Sequence, residues 1–403
     1  ALMCAAHAPA HANPIDGQVV SGAATIIETG KKLDVVQTTD RAVIDWRGFD
    51  IAPDEHTQFH QPDAGSIALN RINSVNPSTI AGKLTANGNV ILINPNGVFF
   101  TKTATVDVNG LIATTADIEN HKFMSGDLHF SKTGNPNASV VNEGTITAKD
   151  AGLVGLVAPN VVNSGTINAK LGRVHLASGD SMTVDLYGDG LLEVKASDAL
   201  TSQVVHNTGT INAAGGTIAL SAAAGRATVN SVVKVSGELN APSVGMRNGK
   251  IIIAAEGSNA VAKNVTADKG KKQGSSTVLV ENAKLNVSGK GANERGGNLT
   301  ITGDEITLKG MNLIDAAGST GGGTIHIGGE YQGKGTTSTA YNLTVENGTT
   351  LLADALETGT GGNIILWSDN ATAFHGHISA RGANGGTGGF VETSGHNTLN
   401  VTG

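Results

Sequence analysis

The sequence predicts an all-β protein built as a right-handed parallel β-helix. Three observations carry that prediction: a strand-and-turn unit that recurs, a core palette of small and β-branched residues, and glycine-led strands that continue to the last residues. The unit is clearest at Val140–Ala148 (VVNEGTITA), returns at Val161–Ala169 (VVNSGTINA) and again at Val204–Ala213 (VVHNTGTINA, with His206 inserted), and survives in degraded form at Val235–Ala241. Gly144 and Gly165 are about 21 residues apart, the length of one solenoid coil, and Gly165 to Gly209 is roughly twice that. Within each unit Ile146 and Ala148, Ile167 and Ala169, and Ile211 and Ala213 alternate with Thr and Asn. That period of two places each apolar pair on one face of a strand. The Asn and Gly ahead of each strand supply a residue tolerant of left-handed backbone and one that admits a tight corner.

Composition narrows the core that such a chain can fill. There are 8 Phe, 2 Trp and 3 Tyr among 403 residues, so aromatics are 3%, whereas Gly numbers 55. Few bulky rings and many Val, Ile, Thr and Ala suit a narrow, repeating cross-section better than a wide globular centre. A helical solenoid is disfavoured because Gly, Thr, Val and Asn are poor helix formers. GGNLTITG, GGTIHIGG, GGNIILWSD and GGFVETSG, starting at Gly296, Gly322, Gly361 and Gly388, extend the pattern, and LNVTG at Leu399–Gly403 reads as part of another coil. At one coil per 21 residues the chain would hold roughly 18 coils in a rod about 90 Å long.

The formal net charge of −7 is dispersed, without the basic run that marks a nucleic-acid binder. No stretch has the ~18 uncharged apolar residues of a membrane-spanning helix. Cys4 is the sole cysteine, so no disulfide within the chain is expected. Residues 1–12 (ALMCAAHAPAHA) read as the end of a secretory signal peptide, with Ala10 and Ala12 forming an Ala-x-Ala cleavage site ahead of Asn13. Its basic start is missing, which implies a chain clipped at the front.

Two segments break the rhythm: Ile51–Pro62, charged and proline-bearing, reads as a loop or cap insertion, and Lys263–Ser276 reads as a basic exposed excursion.

Residues 41–100 carry a more specific signal. RAVIDWRGFDI at Arg41–Ile51 is followed by FHQP at Phe59–Pro62 and ALNR at Ala68–Arg71, then PSTIAGKLTANG at Pro77–Gly88 and VILINPNGVFF at Val90–Phe100. This stretch closely resembles the N-terminal secretion domain of two-partner secretion exoproteins of Gram-negative bacteria. It is nearer the high-molecular-weight adhesin type than filamentous haemagglutinin. The resemblance implies a β-helix with an N-terminal cap and extra antiparallel strands outside the helix. It implies Sec-dependent export, then passage through an outer-membrane β-barrel bearing periplasmic POTRA modules, for which the domain is the address. It sets residues 13–250 as the secretion domain and 251–403 as the start of a β-helical passenger.

The family's NPNG secretion motif corresponds here to Asn94, Pro95, Asn96 and Gly97. By residue type it is a β-turn joining two apolar strands; between folding and recognition, folding takes the larger share of its expected role. The second asparagine motif of the haemagglutinin branch, NPNL, has no clear counterpart. Asn135–Ala138 (NPNA) sits in a different context and is not equated with it.

No catalytic, metal or cofactor site is expected. Asp180, Asp185 and Asp189 match no calcium-loop spacing and read as solvated turn carboxylates. The polysaccharide-acting enzymes that share the β-helix need clustered acids, or positioned Lys and Arg, in an aromatic-lined groove. Here the acids are scattered, and Trp46 and Trp367 lie far apart, Trp46 reading as packing for the cap. His375 and His377 merely alternate along a strand. Eight Asn-x-Ser/Thr sequons begin at Asn137, Asn264, Asn286, Asn298, Asn342, Asn347, Asn370 and Asn400. Some relatives carry cytoplasmic N-glycosylation, so these are possible modification sites, although chance makes many in so Asn- and Thr-rich a chain.

The reading is therefore a monomeric secretion domain and stalk of an exported surface adhesin, whose partners are the outer-membrane transporter and, through other regions, a host or neighbouring cell. The alternative is the stalk of a contact-dependent growth-inhibition toxin; a β-helical enzyme stands third.

Overall fold

Each coil of the chain visits three strand positions in turn, and stacking those positions makes three long sheets. The computed structural model describes residues 13–184, 192–197, 200, 202–223, 230–255 and 275–402. One coil runs Asn89–Ile93, Val98–Phe100, Thr105–Val108 and then Gly110–Thr114, which lies directly on Asn89–Ile93 in parallel register. The first sheet has 13 strands ending at Phe390–Gly395, the second 11 strands from Ser78–Ile80 to Thr398–Val401, and the third 13 strands ending at His377–Ser379. All pairings within the three sheets are parallel except at the N-terminal end. There Gln18–Ser21 lies antiparallel on Arg41–Trp46, and Ala24–Thr29 antiparallel on Lys32–Gln37. Crossovers between parallel strands are right-handed, and the result is a right-handed parallel β-helix closed by a two-strand cap.

The repeats occupy the third sheet as their alternation requires. Ile146, Ile167, Ile211, Leu239, Leu285, Ile314 and Leu351 stack in register and are fully buried. Each such side chain contributes about 1.5–3 kcal/mol by leaving water. Beside that column, Asn142 donates to Asn163 Oδ1 (2.7 Å) and Asn163 to Asn207 Oδ1 (2.7 Å), so three buried amides satisfy one another along the axis. The turn glycines stack too: a Cβ on Gly165 would lie 2.1 Å from Gly144 O, and one on Gly209 2.1 Å from Gly165 O. Only glycine permits that approach.

The coil arithmetic from sequence needs correction. With one of its 13 strands antiparallel, the first sheet has twelve parallel rungs rather than 18, a stack about 60 Å long. Gly165 to Gly209 is one coil, since Ile167 pairs directly with Ile211. The additional residues leave the helix and form strands Ser181–Val184 and Leu192–Lys195, which join His129–Phe130 in a small antiparallel sheet outside it. Ile51–Pro62 likewise contains a true strand, His56–His60, in the third sheet. Lys263–Ser276 falls almost wholly outside the described residues.

That outer sheet, with the short helix Asn120–Ser125, covers the outward face of the first sheet over its strands between Arg41 and Ser178. Val43, Leu69, Ile91, Ile93 and Ile112 from the sheet meet Ile118, Phe123, Phe130 and Met182 from the cover in a second apolar cluster. Hence first-sheet segments such as Leu153–Ala158 are buried on both faces and read as continuous apolar runs. Arg71 ties the cover down: its guanidinium bonds Asp117 (2.9 Å), Asp45 (2.9 Å) and Ile118 O (2.8 Å). Arg41 bonds Phe123 O and lies over the Phe123 ring.

Candidate functional site

Asn94–Gly97 forms the corner between first-sheet strand Asn89–Ile93 and second-sheet strand Val98–Phe100. Gly97 N donates to Asn94 O (2.9 Å), closing a β-turn, and Asn96 N donates to Asn94 Oδ1 (2.9 Å), fixing the asparagine over its own backbone. Pro95 occupies the second turn position, where its fixed φ fits and no N–H is required. Gly97 has φ of 112°, and a Cβ there would meet Ser139 O at 2.4 Å.

The side chains of the motif reach down to the preceding rung. Asn94, fully buried, donates to Asn76 O (3.0 Å) and Ser78 Oγ (3.1 Å), and Asn96 donates to Ser74 O (2.9 Å). The two asparagines thus grip the carbonyls on either side of Val75, whose own side chain is 88% exposed. Sequence reasoning missed this Ser74–Asn76 loop.

The next rung repeats the turn. Ala138 N donates to Asn135 O (3.0 Å) and Asn137 N to Asn135 Oδ1 (3.0 Å), while Asn135 N itself donates to Pro95 O (2.9 Å). Val98 pairs with Val140, so the two Asn-Pro-Asn turns occupy one corner in successive rungs. Asn135–Ala138 is thus a similar turn stacked at the same corner, although its setting differs: the chain enters it from the outer strand His129–Phe130 and not from a first-sheet strand. The signal was present, because three of the four Asn-Pro pairs, at 76–77, 94–95 and 135–136, fall just before a second-sheet strand.

The other sites from sequence disperse. Ala10, Ala12, Asn264, Asp185 and Asp189 lie outside the described residues; Asn13 is buried at the N-terminal end. Asp180 is buried and accepts from Ser197 N and Oγ, a local capping role instead of a solvated one. Asn298, Asn137, Asn347 and Asn400 are exposed. Asn342 and Asn370 are engaged in a ladder, with Asn342 donating to Glu305 (3.0 Å) and Asn370 to Asn342 (2.8 Å), and Asn286 Oδ1 accepts from Ser288. Trp46 is buried at the capped end, as its sequence context suggests, packing edge-on to Phe49 at 5.5 Å.

A capped right-handed β-helix with a covered first face and an asparagine-built corner defines the chain as a secretion domain of the two-partner class. Residues 10–265 match the TPS secretion domain model, and the chain belongs to that family, the secretion-targeting domains of two-partner secretion exoproteins. It is similar to the HMW1 secretion domain from Haemophilus influenzae, with 31% identity and a TM-score of 0.77 over 96% of this chain and 97% of that one. Two curated Haemophilus influenzae relatives are both called heme/hemopexin-binding protein. One, from strain Rd, is 35% identical over 72% of this chain and 34% of its own length; the other is 31% identical over 99% of this chain and 44% of its own length. The chain thus spans under half the length of these relatives.

Proposed function

We propose that this chain is the secretion-targeting end of a larger exported surface protein and is read by its outer-membrane transporter at the corner built by Asn94–Gly97. Residues 1–12 end the signal peptide, 13–250 act as the secretion domain, and 251–403 begin the passenger. That last division is functional, since one buried apolar cluster runs from Leu33 to Phe374 across it. The observation that supports the reading is the corner itself. Side-chain amides there hold a neighbouring loop outward, which a turn needed only to reverse the chain does not require.

For the whole protein, the rod suits an adhesin, holding distal regions away from the cell. The name shared by both curated relatives, heme/hemopexin-binding protein, favours a second reading, capture of haem or of hemopexin. The toxin-stalk alternative calls for a compositionally distinct globular tail in the full-length sequence.

The test is secretion of residues 13–403 behind a signal peptide, with and without the cognate transporter, beside Asn94→Ala/Asn96→Ala. Export only with the transporter supports the reading; export without it, or retention in its presence, overturns it. Capture of haem-loaded hemopexin by the full-length protein, against a hemopexin-free control, separates the two whole-protein roles.

A further inference from the structure

Far from the capped end, the chain from Gly328 to Ala340 leaves first-sheet strand Thr324–Ile327 and doubles back over that sheet before entering second-sheet strand Asn342–Val345. Ala340 N donates to Gly328 O (2.9 Å), closing the base of the loop. Within it Glu330 accepts from the Thr337 N–H (3.1 Å) and hydroxyl, and Gln332 N donates to Glu392 (3.1 Å) on strand Phe390–Gly395. Gly333, in left-handed backbone at φ 64°, lies against the Trp367 indole, where a Cβ would come within 2.6 Å of the ring. The loop is thus fixed, and it presents Tyr331, 48% exposed, edge-on to Phe390 with ring centroids 5.5 Å apart. Phe390 in turn ends a column of outward side chains, Asn298, Thr324 and Asn363, stacked in register on successive rungs.

Asn298 and Asn363 are exposed, and neither side-chain amide bonds any described residue. In other outward columns the asparagines bond one another: Asn212 donates to Asn168 (2.9 Å), Asn240 to Asn212 (3.1 Å) and Asn370 to Asn342 (2.8 Å). Here Thr324 keeps the two amides apart, so their hydrogen-bonding capacity faces outward unspent. The strip is also uncharged. Burial holds the His326 ring below its ordinary value, Glu330 and Glu392 are spent on the loop, and Lys334 Nζ donates to Gln332 Oε1 (2.7 Å). The nearest charge in the column is Lys250, one rung beyond Asn298.

The geometry points to a saccharide-binding strip: a neutral oligosaccharide lies along the column, its hydroxyls on Asn298, Thr324 and Asn363 and the apolar face of its end ring against Tyr331. A sugar ring carries hydroxyls around its rim and C–H groups on its face, which matches free amides ending in an amphipathic aromatic. Each rung advances about 4.8 Å, similar to the advance of one sugar along an extended chain. The strands that carry Asn298, Thr324 and Asn363 have both edges paired, so a peptide could not join them as a further strand. A nucleic acid would call for a row of cations.

The experiment titrates the full purified chain with oligomers of neutral hexoses and N-acetylhexosamines, and with sulfated and sialylated oligomers as charged probes. Neutral oligomers should bind the wild type. Asn298→Ala/Asn363→Ala removes amides that hold nothing in the fold, so its melting temperature should equal wild type while affinity falls about tenfold, the loss of two hydrogen bonds. Tyr331→Ala should cost about tenfold or more, whereas Tyr331→Phe, which keeps the ring, should bind nearly as wild type. A wild type that binds no neutral oligomer, or an asparagine pair that binds as tightly as wild type, would overturn the inference. Binding of the sulfated or sialylated oligomers alone would assign the contact to Lys250 and overturn it as well. None of these readings depends on the transporter, so failure of the function proposed above would leave this inference standing.

Discussion

Trp46 donates its indole N–H to Asn70 Oδ1 across 2.9 Å, with both side chains fully out of solvent at the capped end of the coil stack. Asn70 turns its own amide to Ala68 O (3.2 Å) and Ile91 O (3.3 Å), so one polar residue joins three successive rungs inside an apolar core. Replacing it by Leu leaves the indole donor buried without a partner. The expected loss is about 1–3 kcal/mol of unfolding free energy, read by denaturant titration, with a shifted Trp46 emission in the native baseline. An unchanged midpoint would show that the network is dispensable.

Glycine stacking predicts a position-specific cost. Gly209→Ala forces a Cβ to within 2.1 Å of Gly165 O, whereas Gly65→Ala meets nothing nearer than Asp63 Oδ1 at 3.4 Å. The first should lower thermal stability by several degrees or prevent folding, and the second should be near neutral. Equal effects of the two in parallel melts would refute the stacking argument.

Arg71 holds the outer cover to the helix with only 13% of its side chain exposed, against 30% for Asp45 and 19% for Asp117. Arg71→Met strands both carboxylates. Partial exposure puts the cost near 2 kcal/mol, below the ~3–5 kcal/mol of a fully buried pair. The loss should be local: proteolysis within 116–132 should speed up before the repeats open. Uniform protection at that segment would argue that apolar packing alone retains the cover.

Acid should loosen the C-terminal rungs through Asp354. Burial pushes its carboxyl up, but bonds from the Arg381 guanidinium and backbone N–H and from Ser379 outweigh it and hold the carboxyl below its ordinary value. A depressed folded-state value means that the contribution is present above pH ~4 and lost as pH falls below it. Asp354→Asn should therefore be less stable than wild type at neutral pH and converge with it on acidification. A constant difference across the range would exclude the carboxylate as its source.

Much of the architecture was legible in the chain because a solenoid repeats its instructions. The alternation in TIT and TIN, the Asn-x-Gly turns and the glycine-led strands are local patterns, each sufficient to place its side chains in or out. The capped end was legible through the segment around Trp46, and the turn at Asn94–Gly97 through its residue types.

What the sequence by itself determined, then, is a coil built of alternating strands and glycine corners, since period-two strands and corner glycines are set by neighbours in the chain. The tertiary structure alone decided which residues leave that rhythm. The stretch between Gly165 and Gly209 counts as two coils in one dimension but is one coil plus a covering hairpin in three, because Ile167 gains more by stacking on Ile211 than any spacing can announce. It alone also turned two Asn-Pro-Asn sequences far apart in the chain into one stacked corner, and set Asn94 and Asn96 on the carbonyls around Val75. Those bonds cross between rungs, and contacts between rungs depend on register, which the order of residues leaves open until the coils stack.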